Sequence, residues 1–245
     1  MPEHFAIYGQ TGRGKSHFET YILRERARLR GSRVVIVATK KADKTLLALG
    51  WPIITEWPPP SGWRHRRRDY RQVIFWAKAD GLGRDAQERQ AAKIRHLLDQ
   101  LWVPECNTIV AIDEVSYVED ELNMPPHDLK AVLARYDREA RALGITNVKS
   151  TQRPTGVGRT MHSESTWSAA FAPKDEEDAE RMAQILGNKL YYRRVLNELD
   201  ATKYEFVLVH NLTGEAVITS LPKKPAPITL SRPAQESPRK SPRVS

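Results

Sequence analysis

The sequence has 245 residues, of which 40% are hydrophobic and 28% are charged, and this composition excludes a wholly disordered chain. No run approaches about 18 consecutive apolar residues, so we expect a cytoplasmic protein that does not itself span a membrane. The formal net charge of +9 favours a polyanionic partner such as nucleic acid, although an exposed charge run is more often a solvated face.

Short apolar runs alternate with segments of helical periodicity along most of the chain. The apolar runs are rich in β-branched residues, as are strands buried on both faces of a parallel sheet. The predicted strands lie at residues 4–8, 33–38, 73–76, 108–112, 145–151 and 166–172, and the predicted helices at residues 16–30, 85–102, 127–143 and 175–186. This alternation predicts an α/β fold of three layers with a mainly parallel central sheet.

Three further segments depart from this alternation. Residues 204–209 and 216–221 flank a turn sequence and predict a C-terminal β-hairpin at the sheet edge. Residues 51–71 are rich in Pro and Arg, which predicts a basic loop or insertion. We therefore expect one globular domain over residues 1–221. A basic, Pro- and Ser-rich disordered tail over residues 222–245 would bind a polyanion or act as a solubilising segment.

The segment between the first strand and the first helix has the GxxxxGK[ST] pattern of a phosphate-binding loop. Its glycines permit a backbone that turns successive N–H groups towards phosphate oxygens, while Lys15 reaches the β- and γ-phosphates. The Ser16 hydroxyl is a ligand for Mg²⁺. The predicted nucleotide-binding residues are Gly9, Gln10, Thr11, Gly12, Arg13, Gly14, Lys15 and Ser16. The pattern predicts an ATPase with ATP and Mg²⁺ as its cofactors.

Two adjacent carboxylates follow the predicted strand at residues 108–112. Ligands of open α/β sheets bind at the carboxyl ends of the strands, so this position suits a catalytic site. We expect Asp113 to hold the magnesium shell and Glu114 to act as the general base that polarises the attacking water. An acidic pair after a strand is common by itself, but together with the phosphate loop that precedes it the pair indicates an ATPase.

Further along, the chain reads ARALGIT at residues 140–146 and STQRP at residues 150–154. Together with the two nucleotide motifs, these segments resemble the FtsK/HerA superfamily of DNA-pumping ATPases over about residues 4–190. The resemblance implies a RecA-like P-loop NTPase fold of the FtsK/HerA type. It also implies that Arg141 projects into the nucleotide site of a neighbouring subunit as an arginine finger, for which Arg159 is the alternative.

Gln152 stands at the end of a strand predicted to lie beside the one that carries Asp113 and Glu114. Its amide group suits a sensor that hydrogen-bonds the γ-phosphate or the attacking water, and we count it among the catalytic residues. The alternative is a glutamine that only satisfies backbone groups of its loop. The flanking Thr-Gln-Arg-Pro sequence favours the sensor.

The resemblance also implies partners. It predicts a homo-oligomeric ring, with six subunits as the expected number, that binds double-stranded DNA without base readout. Because the sequence is little more than a motor core, it resembles the genome-packaging ATPases of tailless double-stranded DNA viruses with an internal membrane. A viral capsid or membrane vertex protein is then a further partner, with the ATPase associated with the virion. The alternatives are a HerA-like helicase or conjugative motor, and a nucleotide-dependent assembly switch that does not translocate DNA.

Overall fold

The computed structural model describes residues 2–39, 44–59, 64–65, 68–77, 79 and 81–221. The predicted tail over residues 222–245 lies outside the described residues, and so do residues 60–63 and 66–67 of the predicted basic loop. Among the described residues, no helix combines the length and the apolar character needed to cross a membrane.

Within the described residues, nine strands form one sheet and two form a separate hairpin. The strands are β1 (Phe5–Tyr8), β2 (Arg33–Ala38), β3 (Ile53–Ile54), β4 (Arg64–His65), β5 (Arg68–Asp69), β6 (Gln72–Trp76), β7 (Thr108–Ile112), β8 (Thr146–Thr151), β9 (Trp167–Phe171), β10 (Glu205–His210) and β11 (Ala216–Ser220). The sheet order is β11-β10-β9-β1-β8-β7-β2-β6-β3, and β4 pairs with β5. All neighbours from β9 to β3 are parallel, whereas β10 is antiparallel to both β9 and β11. The mainly parallel sheet and the C-terminal hairpin at its edge are confirmed.

The helices cover both faces of the sheet. They are α1 (Lys15–Arg30), α2 (Lys44–Leu47), α3 (Arg84–Leu101), α4 (Val115–Asp120), α5 (Leu129–Glu139), α6 (Arg159–Ser163), α7 (Glu176–Ile185) and α8 (Lys189–Glu198). The predicted helix over residues 127–143 is shorter than expected, because its last turn tightens into a 3₁₀ helix at Ala140–Leu143. Helices α2, α4, α6 and α8 were not predicted. The signal for α8 was Asn188, whose side chain accepts a hydrogen bond from the Tyr191 backbone N–H and caps the helix.

The core has two parts, one on each face of the sheet. Residues of β1 alternate between them: Phe5 and Ile7 pack with α1, whereas Ala6 and Tyr8 face the side that carries α3, α5 and α7. Both faces of the central strands are buried, as the β-branched runs predicted. The three-layer α/β architecture is therefore confirmed.

The sheet order brings three motifs together where the parallel strands end, which we call the carboxyl edge of the sheet. β8 lies between β1 and β7, and all three strands run in the same direction. Their carboxyl ends are followed by the phosphate loop, by Asp113 and Glu114, and by Gln152. The Gly9 backbone N–H donates to the Thr151 carbonyl at 3.2 Å, which fixes the start of the loop against the end of β8.

Candidate nucleotide-binding site

The phosphate loop is packed closely against the C-terminal part of the sheet. A Cβ atom added at Gly9 would lie 2.8 Å from the Phe171 Cβ. Gly14, with a φ of 98°, would place an added Cβ 3.1 Å from the Tyr204 Cβ. Close approach therefore requires glycine at both positions, and the left-handed backbone requires it again at Gly14. Helix α1 begins at the next residue, so its free N–H groups face the loop.

The Lys15 side chain is buried beneath this loop, with only 4% of the residue exposed. Its Nζ lies 3.9 Å from Oδ1 of Asp113 and donates to the Ser150 hydroxyl at 3.4 Å. A buried ammonium group needs such partners because removing it from water is costly. Lys15 is thus held where the loop and the end of β7 meet.

Glu114 connects the end of β7 to the end of β8. Its φ of 65° is in the left-handed region, which is costly for a residue with a side chain. The carboxylate accepts hydrogen bonds from the Ser116 hydroxyl at 2.6 Å, the Thr151 hydroxyl at 3.1 Å and the Gln152 backbone N–H at 3.1 Å. The strained backbone and these three donors fix the carboxylate beside the backbone of Gln152.

Gln152 forms a bridge between this carboxylate and the phosphate loop. While its backbone N–H donates to Glu114, its side-chain Oε1 accepts a 2.6 Å hydrogen bond from the Thr11 hydroxyl. In this arrangement the Gln152 side chain contacts the phosphate loop, and this contact differs from the backbone-satisfying alternative considered above. Binding of a nucleotide to the phosphate loop would therefore directly change the surroundings of the Gln152 side-chain amide.

The phosphate loop, Lys15, Asp113 and Gln152 line a cavity of about 400 Å³, a size typical of small-ligand sites, whereas Glu114 is not part of the lining. The lining residues are Gln10, Thr11, Gly12, Gly14, Lys15, Ser16, His17, Thr45, Asp113, Gln152, Phe171, Tyr204 and Leu221. Gly9 and Arg13 are the predicted binding residues missing from this lining. Magnesium usually takes one or two protein oxygens and completes its shell with phosphate and water, so Ser16 and Asp113 fit such an ion.

Sequence reasoning missed the apolar part of the cavity wall. Phe171, Tyr204 and Leu221 come from the last strands and their connections, far along the chain from the phosphate loop. Phe171 stacks on Phe206 with ring centroids 4.8 Å apart, and this contact fixes its orientation. Tyr204 has a left-handed φ of 57° at the end of a 3₁₀ turn. No sequence motif links these residues to the loop, because only the fold of the hairpin brings them there.

The two arginine-finger candidates do not line the cavity of their own chain. Arg141 precedes β8, and its Nη2 donates to the Glu164 carbonyl at 2.5 Å and lies 3.7 Å from the Glu164 carboxylate. Burial and then the positive charge of Arg141 lower the pKa of His4, just before β1, to about 3. Arg141 therefore lies beside the amino ends of the parallel strands, at the edge of the sheet opposite to Lys15. Arg159 is exposed at the start of α6, which follows the other end of β8.

Comparison with known proteins agrees with this architecture. The family model of the central domain of the HerA helicase matches residues 1–37. Among curated proteins, no sequence match is found. The genome packaging NTPase B204 from Sulfolobus turreted icosahedral virus 2, solved with AMPPCP, is 13% identical, and the match covers 89% of this chain and 96% of that chain with a TM-score of 0.59.

Two other solved structures share the fold. VirB4 of Thermoanaerobacter pseudethanolicus is 13% identical, with 91% of this chain and 90% of that chain covered and a TM-score of 0.63. The pCW3 conjugation coupling protein TcpA, solved with ATPγS, is 16% identical, with 89% and 59% covered and a TM-score of 0.54. The family-model match and this shared architecture confirm the predicted resemblance: the chain has the fold of the P-loop ATPases of the FtsK/HerA superfamily.

Proposed function

We propose that this protein is an ATP-hydrolysing translocase of double-stranded DNA that packages a viral genome into a preformed capsid. The observation that carries the proposal is the convergence of the phosphate loop, the Asp113 carboxylate and Gln152 on one cavity, with the Glu114 carboxylate hydrogen-bonded to the Gln152 backbone directly behind it. The similarity in fold to a viral genome packaging NTPase over 89% of this chain adds the biological setting.

The phosphate loop would bind the nucleotide triphosphate. Its N–H groups and the start of α1 would contact phosphate oxygens, and Lys15 would neutralise charge at the β- and γ-phosphates. Ser16 and Asp113 would hold Mg²⁺, which when bound supplies further neutralisation of the phosphates. The apolar wall at Phe171 and Tyr204 offers a surface on which a base could stack.

Glu114 would accept the proton of the attacking water. Its carboxylate is already oriented by three donors, and it directly follows Asp113, the proposed magnesium ligand, in the chain. Gln152 would leave the Thr11 hydroxyl when a γ-phosphate is bound and would orient the water or the phosphate instead. The sensor thereby reports the state of the nucleotide to β8.

Arg141 would complete the site of a neighbouring subunit, with Arg159 as the alternative. Support comes from the position of Arg141 at the sheet edge opposite to its own phosphate loop, from where it can reach a phosphate only in another copy. A guanidinium group suits the charge that spreads over the transferred phosphoryl group. The proposed assembly is a homo-oligomeric ring, with six subunits taken from the family.

DNA would pass through this ring without sequence readout. The net charge of +9 favours contacts with phosphates, which position DNA but carry no base information. Residues 1–221 would form the motor domain, and the basic tail over residues 222–245 would add non-specific affinity for DNA. A capsid or membrane vertex protein of the virion would anchor the ring.

A conjugative DNA-pumping motor is the second candidate function. The observation in its favour is the similarity in fold to the conjugation coupling protein TcpA and to VirB4. The same site would perform the same hydrolysis, so the two candidates differ in what the motor is attached to.

The test combines two measurements on the full chain. We expect double-stranded DNA to stimulate ATP hydrolysis and the protein to displace a triplex-forming strand from that DNA. Hydrolysis without displacement would contradict translocation and favour the nucleotide-dependent switch. ATP-dependent protection of DNA from nuclease by purified empty capsids would separate genome packaging from conjugative transfer.

A further inference from the structure

Helix α4 is joined at both of its ends to residues 151–158, which contain Gln152 and which we call the sensor loop. At its start, the Thr151 hydroxyl lies 3.3 Å from the Ser116 hydroxyl and also donates to Glu114. At its end, Oε2 of Glu119 accepts a 3.0 Å hydrogen bond from the Gly158 backbone N–H. The six-residue helix therefore spans the whole sensor loop, from the end of β8 to the residue before α6.

The contact at the far end is made by a buried carboxylate. Glu119 is 2% exposed, and burial raises the pKa of its carboxyl. The charges that influence its pKa are those of Lys130 and of another buried pair, in which Lys149 Nζ lies 2.7 Å from Oδ1 of Asp137. Burying a carboxylate is costly, and an apolar side chain would pack here at a lower cost. What the buried carboxylate provides, and an apolar side chain could not, is the hydrogen bond to the Gly158 N–H.

The position of Gln152 depends on what anchors its loop. Its side-chain contact with Thr11 belongs to the phosphate loop and must change when a nucleotide triphosphate binds. The contacts with α4 do not involve the phosphate loop. The loop also contains Gly156 and Gly158, which restrain the backbone little by themselves. An anchor at its far end would limit the freedom that these glycines allow.

We propose that Glu119 is a positioning residue for the sensor. By fixing the Gly158 N–H on α4, it keeps Gln152 in register with Glu114 while the contacts of Gln152 with the phosphate loop change. Glu119 itself touches no part of the candidate site and acts through the loop. This inference rests on the proposed ATPase function.

Two substitutions at Glu119 test the anchor. Glu119→Ala removes the acceptor, and we expect kcat for ATP hydrolysis to fall by about 10- to 100-fold, since small misplacements of positioning groups have effects of this size. The Kd for ATP should change by less than about twofold because Lys15 and the phosphate loop are untouched. Glu119→Gln keeps an acceptor oxygen for Gly158 and should restore most of kcat.

A pair of glycine substitutions tests the same contact from the loop. A Cβ added at Gly158 would lie 3.3 Å from Oε2 of the buried Glu119, so Gly158→Ala should press on the anchor and lower kcat. Gly156→Ala is the matched control in the same loop. Its Cβ would lie 3.2 Å from Oδ2 of Asp120, whose exposed side chain can move away, and kcat should stay near that of the wild type.

Thermal unfolding of each variant separates a lost anchor from a lost fold. If Glu119→Ala does not fold, the comparison of Gly158→Ala with Gly156→Ala decides. A folded Glu119→Ala variant with the kcat of the wild type would overturn the proposal, as would equal losses in the two glycine variants. A wild-type chain that does not hydrolyse ATP would instead refute the proposed function on which the inference rests.

Discussion

The carboxyl ends and the amino ends of the parallel strands form two opposite edges of the sheet, and the two edges differ in which polar groups contact one another within one chain. At the carboxyl edge of β1, β7 and β8, buried polar groups contact one another: Lys15 reaches Asp113, and Glu114 binds the backbone of Gln152. At the opposite edge, Arg141 is half-exposed and is held by Glu164, with His4 as its neighbour. The first edge brings the phosphate loop, Lys15 and Asp113 together within one chain, whereas the guanidinium group of Arg141 lies away from the phosphate loop of its own chain. The proposed function accounts for this difference if Arg141 acts on the nucleotide of another copy of the chain.

The largest effect is expected from the loss of the Arg141 guanidinium group. Arg141→Ala should lower kcat by about 10³- to 10⁵-fold, as loss of an arginine finger does, with little change in the Kd for ATP. Arg138→Ala, which removes an exposed arginine three residues earlier, is the matched control and should retain activity. Turnover is measured in steady state with double-stranded DNA present.

A mixing experiment then tests whether Arg141 acts between subunits. Rings assembled from Arg141→Ala and Glu114→Gln subunits contain some sites with an intact finger and an intact base, so part of the activity should return. Failure to recover any activity in mixed rings of confirmed composition would remove the shared-site model. The same mixture made with Arg159→Ala shows whether that residue is the finger instead.

At the carboxyl edge, Glu114→Gln should separate binding from hydrolysis. The amide keeps the size of the side chain but cannot accept the proton of water, so kcat should fall by about 10²- to 10⁴-fold. ATP should still bind, because Lys15 and the phosphate loop are unchanged. Single-turnover hydrolysis and equilibrium binding of ATP check the two halves of this prediction. Turnover at the wild-type rate would mean that Glu114 is not the base.

A smaller effect concerns the pH dependence of stability at the opposite edge. His4 is buried and neutral, its Nδ1 accepts from the Asn147 backbone N–H at 3.0 Å, and its pKa is lowered to about 3. The unfolded chain therefore binds a proton near pH 6.5 that the folded chain does not bind. The free energy of unfolding should decrease as pH falls through this window, by about 2 kcal/mol between pH 7 and pH 5 from His4 alone.

Denaturant unfolding of a His4→Asn variant measures this contribution. Its side-chain oxygen can accept from the Asn147 N–H and cannot be protonated in this range, so its stability should vary less with pH than that of the wild type. The exposed His96 provides the control, since His96→Asn should keep the wild-type pH dependence. Identical pH profiles for the wild type and His4→Asn would contradict the assignment.

The smallest effect is expected at the apolar wall of the cavity. Tyr204→Ala should weaken ATP binding by about 1 kcal/mol if the base stacks on this ring. Binding of inorganic triphosphate should be unchanged, because the ring contacts no phosphate in this arrangement. Tyr191→Ala is the control, since Tyr191 is exposed on α8 and does not line the cavity. Equal losses for ATP and triphosphate would place Tyr204 beside the phosphates instead.

Much of the candidate site could be predicted because its motifs are local. The GxxxxGKS pattern specifies its own backbone, since glycines allow the left-handed turn and the helix that follows supplies N–H groups. Asp113 and Glu114 follow directly from a buried strand, so their place at a carboxyl edge needed only the assignment of that strand. The alternation of apolar runs and helical segments was likewise enough to predict a three-layer α/β fold.

Other parts depended on contacts between distant residues. Nothing in the pattern indicated that Phe171 and Tyr204 close the cavity around the phosphate loop, or that Glu119 binds the Gly158 N–H. These contacts follow from the strand order and from how the hairpin folds back on β9. The physical reason is that a hydrophobic period specifies which face of an element is buried, but not which other element covers it.

The sequence by itself determined the chemistry of the phosphate loop, the acidic pair beyond β7 and the α/β class, because each depends on residues adjacent in the chain. Only the tertiary structure decided that Arg141 lies at the edge opposite to Lys15 and that Gln152 bridges Thr11 and Glu114. These relations join residues that are 38 to 141 positions apart in the chain, counted from Gln152 to Glu114 and to Thr11. At such separations the relative position of two side chains is set by strand order and packing, which no local pattern encodes.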